Sequence, residues 1–522
     1  MSCLRAVNLF WLTLLLLVLV ITPKPALSKY IRTKVVILGA GAAGISAAKS
    51  LSEAKVEDFV ILDAQPFIGG RVQHQKFGNS YVELGANWIY GKGDNPVYKL
   101  AVKHGLKYTP NDKANVVYFD DNGGILRNQS IGEQVSNEFE AVKVRLVEYA
   151  EQRMRHRQVD LSSRSALSLL GWNPDTPLKA AVEYFNIDWE FAEPAEMCSL
   201  DYATGMEDAI TGSYPLGNEF VVDERGFNYI LKQESNTFLK PLDPRLMLNT
   251  KVTKVLYNHR SVTVQTESND IIEADYAICT FSLGVLQSDD VEFEPSFPEW
   301  KREALLSFHM TTYTKIFLKF DHRFWGDWQF ALYANNVSHH GGYYTVWQNL
   351  NAPGYLFQPT ATGDNILMVT TTDKESHRIE RMTDAQVQKE IMQVLQQMFS
   401  TNADHHNGSP TSIIVEPPTH ILIPRWHQHP LFRGSYSNWP IGASRRHHKN
   451  MRAPLHNTLW FAGEAMSAEY YGYLHGAWLE GDSVAKSLIQ CINSTCPYYE
   501  TYPYITGCDE YKEPRFIHQF TL

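Results

Sequence analysis

Three glycines in Gly39-Ala-Gly41-Ala-Ala-Gly44 follow directly on the apolar run Lys34-Val-Val-Ile-Leu38 and open an alanine-rich stretch that continues to about Leu51. A second apolar run, Phe59-Val-Ile-Leu62, ends in Asp63. This order predicts strand, tight turn, helix and parallel strand, the unit that binds a dinucleotide. The first glycine makes the turn, the second admits a pyrophosphate to the helix N-terminus, and the third lets the helix pack on the strand. An acid closing the second strand accepts hydrogen bonds from a ribose. A lone glycine pattern would be weak evidence; between a strand and a helix, with Asp63 at the expected distance, it is strong. It does not separate FAD from NAD. Gly69-Gly70-Arg71, followed by Glu83-Leu-Gly85-Ala86-Asn87-Trp88, does, because a cationic fork beside a double-glycine turn suits the remaining phosphate oxygens and a flavin edge.

Other elements must bring a substrate to that cofactor. A helix is expected from Gly132 to about Arg157, with Val135, Phe139, Val142, Leu146 and Tyr149 on one stripe. Strand-like runs recur at Val252–Tyr257, Ser261–Thr266, Ala274–Thr280 and Thr312–Phe320. On the last of these, alternation puts Lys315 on one face with Tyr313, Phe317 and Lys319, and by alternation alone it reads as a solvated lysine on a sheet edge. Thr383-Asp-Ala-Gln386 is a capping box opening a helix with Val387, Ile391, Leu395 and Met398 inward; Thr401–Thr411 reads as a loop. Near the C-terminus, Leu459-Trp-Phe461 is a strand and Ala462-Gly463-Glu464 a turn. A helix then runs from about His475 through Ile489, kept thin by Gly472, Gly476, Ala477, Gly481 and Ala485, so that its positive end can approach an anionic ring. Both ends of the chain would hold one cofactor.

The chain has 522 residues, is 44% hydrophobic and carries a formal charge of -10, which fits two to four domains with large cores and argues against nonspecific nucleic-acid binding. Cationic ligands suit it better. Arg5, the apolar run Leu9–Ile21 and Ala26-Leu27-Ser28 read as a secretory signal over residues 1–28, too short in its apolar part to span a membrane. Its removal takes Arg5 and Lys24 and no acid, moving the charge to -12. It also leaves Cys198, Cys279, Cys491, Cys496 and Cys508, of which the three C-terminal ones are expected to form disulfides; Cys491 and Cys279 also suit a core. Sequons at Asn128, Asn336, Asn407 and Asn493 are compatible with secretion. The adjacent histidine pairs 339–340, 405–406 and 447–448 read as loop residues, without metal-site spacing, and Arg445-Arg446 as a solvated turn.

Taken together, the chain resembles the flavin-containing amine oxidases of the monoamine and polyamine oxidase family, most of all the secreted polyamine oxidases of plants, over nearly everything from Val35 to about Ile492. The resemblance is carried by Gly39-Ala-Gly-Ala-Ala-Gly44, Ile68-Gly-Gly-Arg71, Glu83-Leu-Gly-Ala-Asn-Trp88, Asp223-Glu-Arg-Gly226, Ser282-Leu-Gly-Val-Leu-Gln287, Tyr313-Thr-Lys-Ile-Phe-Leu-Lys-Phe320, Ser437-Asn-Trp-Pro440, Ala462-Gly-Glu464 and Gly472-Tyr-Leu-His-Gly476. It implies a mixed α/β chain: a Rossmann-like FAD-binding domain from segments 29–110, 222–305 and 441–522, and a substrate-binding domain with a mixed sheet flanked by helices from 111–221 and 306–440. FAD would be held by Gly39, Gly41, Gly44, Asp63, Gly70, Arg71, Trp88, Val252, Trp426 and Glu464. Relatives more often have Glu where this chain has Asp63. Lys315 would be the catalytic lysine, holding a water beside flavin N5. Tyr313, Tyr436 and Tyr473 would surround the amine, with Glu190 and Phe191 in the substrate tunnel. Where the plant enzymes have a second tunnel glutamate, this chain has Tyr90.

The activity implied is oxidation of a secondary amine of spermine or spermidine by hydride transfer to the flavin, hydrolysis of the iminium to aminoaldehyde and amine, and reduction of O₂ to H₂O₂. A monomer is expected, secreted or in a secretory-pathway or vacuolar compartment, with no nucleic-acid partner and no membrane span once the signal is removed. The alternatives are an oxidase of acetylated polyamines, monoamines or amino acids, and an FAD-bearing binding protein without turnover.

Overall fold

The structure is a computed structural model describing residues 28–120, 124–126, 128–206, 214, 217–335, 342–355, 363–399 and 414–505. Residues 1–27 of the expected signal, the loop 401–411, the sequons at Asn336 and Asn407, Cys508 and the histidine pairs 339–340 and 405–406 lie outside the described residues.

The Tyr30–Leu38 strand runs parallel to Phe59–Leu62 on one side and to Ile271–Cys279 on the other. Val35, Val36, Ile37 and Leu38 are all fully buried. A strand covered on both faces has no polar side to show, which is why this run reads as continuously apolar. The sheet extends through Val262–Thr266 and Val252–Tyr257 to Glu292–Glu294, and Leu459–Phe461 joins it alongside Ile271–Cys279.

Helix Ala42–Glu53 packs on helix Leu474–Ile492, bringing the two ends of the chain together. That approach depends on missing side chains. A Cβ on Gly481 would lie 2.1 Å from the Ala43 carbonyl oxygen, and one on Gly44 would lie 1.9 Å from that of Gly39.

A second sheet orders its strands His420–Leu422, Tyr313–Phe320, Asn365–Thr372, Val346–Asn349, Phe330–Ala334, Val116–Asp120 and Gly124–Ile125. Ile316, Leu318 and Phe320 face the helix Asp384–Phe399, whose Val387, Ile391, Leu395 and Met398 are buried as their spacing predicts. That helix opens with the expected box: Gln386 N–H donates to Thr383 Oγ1 at 3.3 Å, and Thr383 N–H to Gln386 Oε1 at 2.9 Å. The opposite face of Tyr313–Phe320 carries Tyr313, Lys315 and Phe317, all buried. Lys315 is therefore not the solvated edge lysine that alternation alone suggests.

Several local expectations are corrected. The long helix spans Gln129–Arg155, beginning earlier than its apolar stripe because the Asn128 side chain accepts from Ser130 N–H and caps it. Arg445–Arg452 is a helix, not a solvated turn, and His447-His448 is not in a loop. Ser444 and His447 cap that helix reciprocally, with Ser444 N–H donating to His447 Nδ1 at 3.0 Å. Arg446 is buried, its guanidinium 4.7 Å from the Tyr502 ring centre. His448 stacks on Trp439, and burial pushes its pKa down to about 3. Cys491 pairs with Cys496, whereas Cys198 and Cys279 are buried free thiols. No described helix is long and apolar enough to cross a membrane.

Candidate active site

One long cavity runs between the two sheets, and every residue singled out from the sequence lines it except Gly44. Gly44 sits behind the wall against Gly39 and Ile37, the packing role its place in the motif assigns.

At one end the cavity is built for a dinucleotide. Gly41 precedes helix Ala42–Glu53, and a Cβ there would meet nothing within 4 Å, so the turn presents bare backbone and a helix N-terminus to the open space. Asp63 is fixed by Ala40 N–H on one oxygen (2.7 Å) and Gln65 N–H on the other (2.8 Å). Burial raises its pKa against those bonds, and each oxygen keeps a lone pair for a hydroxyl. Val252 lines the same end at the start of its strand. Bare turn, ribose acceptor and helix N-terminus together fit FAD.

Next along the wall, Arg71 Nη1 reaches Glu464 Oε1 at 2.8 Å and the Ser435 carbonyl at 3.0 Å. The other Glu464 oxygen accepts from Ser437 Oγ at 2.6 Å and Gly472 N–H at 2.8 Å. Glu464 thus ties the double-glycine turn to the C-terminal segments, and the Arg71 cation enters the cavity already balanced.

At the far end, Lys315 Nζ donates to the carbonyls of Gly85 (2.6 Å) and Glu83 (3.2 Å) and to Asn87 Oδ1 (2.9 Å). It also lies 4.9 Å from the Trp88 ring centre. The motif Glu83-Leu-Gly-Ala-Asn-Trp88 thereby wraps the lysine. Burial pushes the Lys315 pKa down to about 7, with Glu83 opposing. The Glu83 carboxyl is itself pushed up to about 8 by burial, and its Oε2 has no hydrogen-bond partner.

Around this lysine stand Trp426, Tyr313, Tyr436, Tyr473 and Tyr90. Tyr90 meets the Tyr473 ring edge-on at 4.6 Å, and His475 stacks behind Tyr473 at 5.2 Å. The Tyr473 hydroxyl donates to Glu190 Oε1 at 2.9 Å, and the Tyr436 hydroxyl to the Glu190 carbonyl at 3.0 Å. A box of aromatic faces beside a buried lysine whose pKa is drawn down suits an amine held against a flat ring.

The profile of flavin containing amine oxidoreductases matches residues 42–489. The chain belongs to this family. It is 35% identical to polyamine oxidase 1 of Zea mays over 96% of this chain and 99% of that protein. It is 38% identical to polyamine oxidase 7 of Oryza sativa subsp. japonica over 86% of this chain and 93% of that protein. Among solved structures, wild-type putrescine oxidase bound to putrescine superposes with a TM-score of 0.69 at 16% identity, covering 88% of this chain and 99% of that one, a likeness of fold alone. As a member of this family the chain is an FAD-dependent amine oxidoreductase.

Two residues at the amine end escaped sequence reasoning. Trp189, in the wall beside Glu190, is the chain neighbour of that singled-out glutamate, and its indole N–H reaches Thr370 Oγ1 at 2.8 Å. Lys113 comes from the segment between Tyr108–Pro110 and Val116–Asp120, and its Nζ reaches Glu190 Oε2 at 3.2 Å. No local pattern marks it, because the contact joins segments 77 residues apart.

Proposed function

We propose that the protein oxidises secondary amines of the spermine and spermidine class, R–CH₂–NH–R′ + O₂ + H₂O giving R–CHO + H₂N–R′ + H₂O₂. The observation that carries this reading is the continuity of one cavity from the Gly39–Asp63 end to the aromatic box at Lys315, supported by the plant relatives that bear the polyamine oxidase name. FAD, held by the residues of the Gly39–Asp63 end with Arg71 and Glu464, would supply the two-electron acceptor, with O₂ as the final oxidant.

The residues supply placement and proton control. Tyr436 and Tyr473 pin Glu190 through their hydroxyls and stand in the cavity wall, where they orient the carbon to be oxidised. The substrate nitrogen must be neutral to give up electrons, and low polarity around it favours that form. Lys315 positions the water needed for flavin reoxidation or iminium hydrolysis; the weakest of its three hydrogen bonds by length is the one to the Glu83 carbonyl, at 3.2 Å.

Residues 1–28 are in this reading a secretory signal. Anaerobic mixing of purified holoenzyme with spermine should bleach the flavin absorbance, and admitting O₂ should restore it with one peroxide per cycle. A spectrum unchanged by spermine and spermidine would sink the substrate assignment while leaving the family intact.

A further inference from the structure

Glu190 is the acid at the amine end of the cavity that could answer a second positive charge on a substrate. Its side chain is 4% exposed, and both oxygens are engaged, Oε1 by the Tyr473 hydroxyl and Oε2 by Lys113. Lys113 stands 5.1 Å from the Trp189 ring centre, on the indole that forms the neighbouring wall, and its own side chain is 36% exposed. Burial alone would lift the Glu190 pKa; the Lys113 charge, the hydrogen bonds from Tyr473 and Lys113, and the more distant Lys143 outweigh it and hold the carboxyl below its ordinary value. The acid is therefore charged, and the protein already carries its counter-ion.

The rest of this end adds no negative charge. Tyr90, Tyr313 and Tyr436 are held by burial in their neutral phenol forms, and Lys315, when it takes a proton, adds a positive charge. A substrate ammonium arriving beside Glu190 meets an ion pair in place of a lone carboxylate. The attraction of the acid and the repulsion of the lysine largely cancel over a few ångströms.

We propose that Lys113 is a specificity-determining positioning residue. By holding Glu190 as one half of an ion pair, it removes the reward for a second charge on the substrate. The enzyme then accepts amines with uncharged tails, such as acylated or alkylated ones, about as readily as fully cationic polyamines. This rests on the reading of the protein as an oxidase of polyamine-type amines.

The test compares kcat and KM for spermidine and for its bis-terminally acetylated form, which keeps only the reacting secondary amine, at fixed ionic strength in the holoenzyme, Lys113→Met, Lys113→Gln and Lys113→Arg. The expected result is a rise of roughly tenfold in the preference for spermidine in both neutral variants. It should come through a lower KM for spermidine with kcat little changed, and Lys113→Arg should keep the parent preference. An unchanged preference in the neutral variants overturns the proposal, as does an equal loss with both substrates, which would mark Lys113 as merely structural. Flavin absorbance identifies variants that do not fold, and the Met and Gln replacements stand in for one another. If the parent enzyme oxidises neither amine, the substrate reading itself fails, an outcome distinct from turnover with an unaltered preference.

Discussion

Lys315 is held by opposing demands. Three acceptors surround Nζ, the number an ammonium can satisfy, yet burial draws its pKa down to about 7. Its charge therefore changes near neutrality. An unfolded chain keeps the lysine proton to about pH 10.4, so between the two values the unfolded state binds more protons. The cost of burying this lysine is accordingly full below pH 7 and relieved as pH rises toward 10. Glu83, pushed up to about 8, acts with the opposite sign, because its buried carboxyl loses stability as pH climbs from the ordinary carboxylate range to 8. A comparison of variant with parent cancels most of the Glu83 effect, and the remainder has the same sign as the lysine's, because losing the Lys315 charge lifts the Glu83 carboxyl further. The Tm of Lys315→Met relative to the parent should be higher at pH 6 than at pH 9, and a pH-independent difference would reject the assignment. In the reaction, Lys315→Met should slow reoxidation of the reduced flavin by roughly tenfold or more and delete an inflection near pH 7. Stopped-flow mixing of reduced enzyme with O₂ reads both, and parent-like rates would remove Lys315 from the chemistry.

At the scale of elements, the opening glycines divide their labour in a way that can be separated. Gly44 faces the Gly39 carbonyl across a distance no Cβ can share, whereas Gly41 faces open cavity. Gly44→Ala should therefore compromise the strand–helix unit itself, with little soluble holoprotein and a Tm loss of several degrees. Gly41→Ala should fold and weaken the retention of FAD, seen as flavin lost on gel filtration; the reverse pattern would contradict the geometry. This division was legible in the sequence because the dinucleotide turn is local: strand, glycines, helix and acid fall within the 30 residues from Lys34 to Asp63, and backbone sterics fix each position. The capping box at Thr383 and the stripe of the helix it opens were legible for the same reason. The burial of Lys315 was not, since alternation tells which residues share a face and not what covers it. Nor was the helix at Arg445, where a polar run is turned into an element by a Ser444–His447 cap and an arginine stacked on Tyr502. The pairing of Lys113 with Glu190 is further still from any local rule, because only the assembled fold makes those segments neighbours.

For the whole molecule, a formal charge of -10 draws polyamines toward the protein without deciding which amine is oxidised. In the cavity wall two charges are answered by a partner, Arg71 by Glu464 and Glu190 by Lys113. Arrival and choice are thus governed over different distances. The long-range field is screened when the Debye length falls from about 30 Å at 0.01 M salt to about 8 Å at 0.15 M, while the partly buried pairs are screened less. Raising salt over that range should lower kcat/KM for spermidine several-fold through KM, leave kcat unchanged, and affect its bis-acetylated form much less. Steady-state peroxide release in the two buffers measures this. If both amines lose activity equally, salt is acting on the protein rather than on encounter. If Lys113→Met shows the parent's salt slope but a changed preference between the amines, attraction at long range and selection at Glu190 are separate devices in one molecule.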